Sequence, residues 1–297
     1  CAPSGAAWNQ FRDRFIEASF AYDPAFAATQ GRHEFDGKLP DWSEAGIAAR
    51  IAALKAAIEE AEGFAGLSQE QAFERDYLVA VARGNLFWLE TADQPHTNPA
   101  FYMGALSPSM YITRPYAPPI DRLRAYIAYL DAVPAAAAQI RANLRTPMPL
   151  PFVNYGKASF GGLAEYYQGD GKAAFAAVAD AALHAELERA SAAAATAMSG
   201  LAEWVESQRA TATQDFALGP ERFAQMLRDT EMVDISLADL EAIGRADLAR
   251  NQQALRDACA QYALGATLPA CMARMGAQKS QGGAVEGIVM DAARSEP

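Results

Sequence analysis

The stretch SQEQAFERDYLVAVARGNLFWLETA (residues 68–92) decides the class of fold. Ser68 followed three residues later by Gln71 is the pattern of a capping box, where cap and third residue satisfy each other's backbone donors. Phe73, Tyr77, Val81 and Trp88 then recur near helical spacing. The stretch therefore reads as a helix to about Ala92, with those four side chains on its buried face. Gly84 inside it costs about 1 kcal/mol against alanine, which points to another backbone packed close by.

The same periodicity extends outward. Trp8, Phe11, Phe15 and Phe20 mark a helix over 6–22, ended by Asp23-Pro24. Ser43 caps a helix running to about Glu62. Ile120, Leu123, Ile127 and Leu130 form the stripe of a helix over about 120–145, which Pro134 should kink or divide. Residues 146–157 read as loop, Phe160 to Tyr167 as a short helix, and Lys172 to about Ala210 as one long alanine-rich helix. Pro220 starts a helix to Thr230. Ser236 with Asp239 caps a further one, with Leu237, Leu240, Leu248, Leu255 and Tyr262 on one side. Alternating Val/Ile/Thr runs of strand length are absent. The expected fold is all-α, an irregular multi-helix array.

Composition bounds the function. A net charge of −11 over 297 residues, with no Lys/Arg cluster to offset it, argues against a nucleic-acid partner. A membrane-spanning helix needs about 20 mainly apolar residues. The longest charge-free stretch, Gln94 to Thr113, holds Pro95, Pro99 and Pro108, and Ala190 to Ala202 is too short. Membrane attachment is therefore expected only through a lipid on Cys1. The chain opens CAPSG without a methionine, and a lipoprotein signal peptidase cuts before such a cysteine.

The three cysteines allow two readings. All are buried free thiols in a reduced compartment, or Cys1 is lipidated and Cys259 bonds Cys271. Two antiparallel helices joined by LGATLP would bring Cys259 and Cys271 together. The bridge would contribute roughly 3 kcal/mol. The spacing and the exported context favour the disulfide.

Catalytic signatures are missing. HExxH places two histidines one helical turn apart to hold zinc, but His33-Glu34 runs on into Phe35, Asp36 and Gly37. His184 and Glu188 form an i, i+4 pair without a third ligand, and His96 has no visible partner. Ser159 in GKASFGG fails the GxSxG pattern, and GDGK (169–172) is an incomplete phosphate loop. No catalytic residue, metal ligand or cofactor is expected in this chain. Aromatics are unusually dense in NPAFYMGALSPSMYITRPYAPP (98–119) and FGGLAEYY (160–167). They suit either a packed core or a pocket wall; core is the safer reading for any one of them. As a set, Tyr102, Tyr111, Arg114, Tyr116, Tyr166 and Tyr167 are the candidates for a substrate cleft.

The order of five segments carries a resemblance. They are FAYDPAFAATQGRHEFDGKLPDWS (20–43), ERDYLVAVARGNLFWLE (74–90), NPAFY (98–102), RLRAYIAYLDAVPAAAAQIRANL (122–144) and FALGPERFAQMLRDTEMVDISLADLEAIGRADL (216–248). From about residue 8 to residue 255 the chain resembles the first half of a large bacterial family of unknown function. Its members are exported helical proteins, often lipoproteins, similar to gluzincin-type zinc metallopeptidases. The resemblance implies a periplasmic or outer-membrane-anchored lipoprotein. It implies a tether over 1–7, a single helical domain over 8–276 that is part of a larger fold, and a polar, glycine-containing tail or linker over 277–297. The HExxH segment of that family lies downstream of the part matched here. The chain is then the non-metal half of a peptidase-like hydrolase and supplies one wall of a cleft for a peptide substrate. Zinc belongs to a C-terminal half or second polypeptide. The alternative is a non-enzymatic helical binding or scaffold lipoprotein.

Overall fold

The computed structural model describes residues 5–278; Cys1 and residues 279–297 of the expected tail lie outside them. Most of the described residues are helical. The elements are α1 (Gly5–Tyr22), α2 (Pro24–Thr29), α3 (Glu44–Glu62), α4 (Gln69–Leu86), α5 (Gln94–Thr97), α6 (Ser109–Thr113), α7 (Pro119–Asn143), α8 (Leu150–Gln168), α9 (Asp170–Ala173), α10 (Ala181–Ser207), α11 (Pro220–Glu231), α12 (Leu237–Tyr262) and α13 (Leu268–Ala277). A π-helical turn, Phe87–Thr91, continues α4. The described residues hold no strand beyond an isolated bridge between Pro149 and Thr213.

Local chemistry sets the helix starts. Ser68 Oγ accepts from the Gln71 amide, and Gln71 Oε1 accepts from the Ser68 amide, so the capping box is complete. Ser43, Asp180, Ser236 and Thr267 cap α3, α10, α12 and α13 in the same way. Asp180 also explains why Lys172 to Ala210 is not one helix. Its side chain accepts from the Leu183 amide, which starts α10 afresh after the turns that bury Phe175. Residues 146–157, expected as loop, hold the first turns of α8. Pro151 lies in the first turn, where its missing N–H costs nothing. Pro134 does not divide α7: the helix runs through it, with Val133, Ala136 and Ala137 buried beside it.

Two compact units divide the chain, Cys1–Asp234 and Ile235–Pro297. In the first, α7, α8 and α10 pack together around the main core. Trp8, Phe11, Ala61, Phe64, Leu78 and Val79 form a second cluster where α1, α3 and α4 meet. Gly84 lets α11 approach: a Cβ there would stand 3.4 Å from the Asp229 carbonyl oxygen. In the second unit, α12 and α13 are joined by the Cys259–Cys271 disulfide, with Cα atoms 5.8 Å apart. Leu255, Ala263 and Leu268 pack around it, whereas Leu248 and Tyr262, read as part of one side of α12, are exposed.

One expectation is overturned in an informative way. The residues of α4 that meet the core are Leu78, Val79 and Ala82. Phe73 is 72% exposed, Tyr77 62% and Val81 39%, and Trp88 is partly buried. The apolar band of α4 is wider than one face. The neighbours α1 and α3 take its 78/79/82 side, α11 packs at Gly84, and Phe73, Tyr77 and Val81 stay exposed.

Candidate functional site

A cleft of about 720 Å³ opens within the first unit. Tyr22, Trp42, Arg50, Val81, Phe101 and Tyr111 are among its lining residues. The ends of α1 and α2 supply Tyr22 and Asp23. Helix α3 supplies Arg50, and α4 supplies Val81 and Asn85.

Arg50 is the unusual member. It is 9% exposed, and its guanidinium carbon sits 4.5 Å from the centroid of the Tyr22 ring. Asp23 acts on it only through space, because the Asp23 carboxylate caps α2 by accepting from the Phe26 amide at 2.9 Å. Arg50 Nε and Tyr22 Oη are both buried and without a hydrogen-bond partner among the described residues. Burial pushes the Arg50 pKa down and the Tyr22 pKa up, but an arginine stays charged in any protein setting. The cleft lining is therefore largely apolar and carries two buried donor groups without partners, one charged and one neutral.

The residues singled out from sequence are scattered. Tyr102 is fully buried; its hydroxyl donates to the Pro95 carbonyl at 2.6 Å and accepts from Asn143 Nδ2 at 3.1 Å. Tyr167 is also fully buried, its hydroxyl 2.7 Å from that of Tyr129, which donates to the Leu106 carbonyl. Both belong to the main core. Tyr111 is 5% exposed, accepts from the Gly37 amide and lines the cleft. Tyr116 is partly buried, donates to Asp36 and stacks on His33 with ring centroids 3.9 Å apart. Arg114 is exposed and donates to the Thr29 carbonyl at 3.3 Å. Tyr166 is partly buried against the core. Of the six, Tyr111 alone lines the cleft; Arg50, Tyr22 and Trp42, which sequence reasoning passed over, line it with Tyr111.

His96 has partners after all. Its ring joins Asp93 through Nδ1 and Glu44 through Nε2, the latter at 2.8 Å, and Arg145 pairs with Asp93. Asp93 adopts the left-handed region at φ 50°. The network ties the first turn of α3 to α5 across 52 positions, a separation that leaves no local signal. Among the described residues, no three of His, Cys, Asp and Glu are grouped to hold a metal ion, and no helix is long and apolar enough to cross a membrane.

These features define an all-α protein with a largely apolar cleft in its first unit. The chain belongs to the family described as bacterial protein of unknown function (DUF885), whose model matches residues 24–294. It is similar in fold to the solved structure of a candidate lipoprotein of unknown function from Shewanella oneidensis, with a TM-score of 0.71 and 20% sequence identity. That match covers 86% of this chain and 48% of the other, so this chain spans about half the length of the solved relative. No curated protein matches it.

Proposed function

We propose that this chain is one helical half of an exported lipoprotein of zinc-peptidase type, anchored through Cys1. It supplies one wall of a peptide cleft, and the zinc-binding segment belongs to a second half. The observation that carries this reading is the exposed apolar row of α4. Phe73, Tyr77 and Val81 recur at helical spacing, are exposed, and lead into the cleft at Val81 and Asn85. Phe73 and Tyr77 are stacked, their ring centroids 6.5 Å apart. Large apolar side chains on one face of a helix mark a surface built to be covered.

The occupant we assign is further polypeptide of the same protein. The share of the solved relative that this chain leaves unmatched, and the description of that relative as a candidate lipoprotein, support the choice. Among the described residues no ligand set fits zinc, so no catalytic step is derived from them. What this chain contributes is binding and orientation. The scaffold alternative draws its support from Tyr102 and Tyr167, which are buried within this chain and need no partner to cover them.

The test is the natural protein from the membrane fraction. About one zinc ion per molecule, peptide hydrolysis lost on chelation and a diacylglyceryl group on Cys1 are expected. A zinc-free, inactive protein would leave the scaffold reading.

A further inference from the structure

We propose that the Arg50–Tyr22 end of the cleft is a binding site for a single carboxylate borne on an apolar or aromatic body. The inference stands on the cleft itself and does not require the zinc-peptidase reading.

Burying an arginine is costly unless its charge meets an acceptor. In this chain Arg50 is given a π-face and no carboxylate. The nearby acid that could have served, Asp23, is engaged at the start of α2. Buried polar atoms without partners are rare enough that each needs an explanation. Four occur among the described residues, on Tyr22, Arg50, Tyr126 and Ser191, and the Tyr22 and Arg50 atoms belong to side chains lining this cleft. Both are donors, and a ligand carrying acceptor oxygens satisfies donors. A guanidinium matches the two oxygens of a carboxylate with its fork of N–H groups.

The rest of the lining sets the ligand class. Trp42, Phe101 and Tyr111 offer apolar area to a hydrophobic body. Lys38 is the other cation on the lining and Asp23 the acid. With that acid close by and a chain charge of −11, a phosphate dianion meets more repulsion than a monocarboxylate. An N-acylated amino acid or the C-terminal residue of a peptide fits these terms.

The probe is N-acetylphenylalanine, titrated into the chain against N-acetylphenylalaninamide, which keeps the body and removes the charge. Binding is followed by the thermal midpoint and by the NMR signal of Arg50 Nε–H. The acid is expected to bind saturably, at least about tenfold more tightly than the amide, because a charged hydrogen bond separates them. Its binding should move the Nε–H signal, and inorganic phosphate should bind more weakly. Arg50→Met should lose at least about tenfold in affinity for the acid, and Arg50→Lys should fall between. Equal binding of acid and amide, an unmoved Nε–H signal, tighter binding of phosphate, or no binding of the acid at roughly millimolar concentration would each overturn the proposal. The comparison of acid with amide uses the unaltered chain, so it decides the matter even if a variant fails to fold.

Discussion

The guanidinium carbon of Arg50 stands 4.5 Å from the centroid of the Tyr22 ring, and this stacking is the main attraction the chain offers a buried charge. A cation–π contact is worth about 0.5–2 kcal/mol, and desolvation of the charge opposes it. Arg50→Met keeps most of the volume and removes both. Its unfolding free energy in urea is expected to stay within about 1 kcal/mol of the parent. A loss above about 3 kcal/mol would mark Arg50 as a structural residue and weaken the case for a ligand.

Tyrosine burial should set the alkaline limit of the fold. Burial pushes Tyr111 up to about 12, and it pushes Tyr102, Tyr126, Tyr129 and Tyr167 higher. A free tyrosine ionises near pH 10. A raised folded pKa on a group that is neutral when protonated stabilises nothing extra below about pH 10. The unfolded chain gains by ionising above it, so stability falls as pH rises from about 10 toward 12. Tyrosinate absorbance and loss of helical circular dichroism are expected to rise together. Ionisation of these tyrosines with the helices intact would contradict the packing described.

Gly84 should discriminate by size. A Cβ there meets the Asp229 carbonyl oxygen at 3.4 Å, an ordinary contact. Gly84→Ala is expected to be neutral or to stabilise by up to about 1 kcal/mol through helix propensity. Gly84→Leu should force α11 away from α4 and cost about 1–3 kcal/mol. Denaturant midpoints of the two variants check this; equal effects would mean that α11 does not pack there.

The Cys259–Cys271 bridge supports a unit with little buried area. Cys259→Ser with Cys271→Ser should destabilise the α12–α13 pair by roughly 3 kcal/mol. Amide hydrogen exchange over 237–277 should accelerate accordingly. Unchanged exchange would show that side-chain packing alone holds the two helices together.

The helices were legible because their signals are local. The Ser68–Gln71 box, the Ser43 cap and the spacing of Trp8, Phe11 and Phe15 each lie within a few residues. Gly84 was legible for the same reason, as a cost that needed an explanation. What failed was partner choice. Periodicity assigned α4 a buried face through Phe73 and Tyr77, but α1 and α3 occupy the neighbouring side, and nothing within residues 68–92 encodes that. The cleft was illegible for a related cause. Arg50 reads as one more charged residue on an amphipathic helix, and its isolation becomes visible only when Tyr22 and Asp23 are folded against it. The dense aromatics drew attention to Tyr102 and Tyr167, whose hydroxyls are satisfied inside the core.

The exposed apolar row of α4 gives the most direct test of the two-part reading. Hydroxyl-radical footprinting would compare Phe73 and Tyr77 in this chain with the same residues in the protein isolated from its natural source. Strong labelling in the chain alone and protection of both rings in the naturally isolated protein are expected. Equal labelling in the two would contradict the claim that this row is covered by a second half.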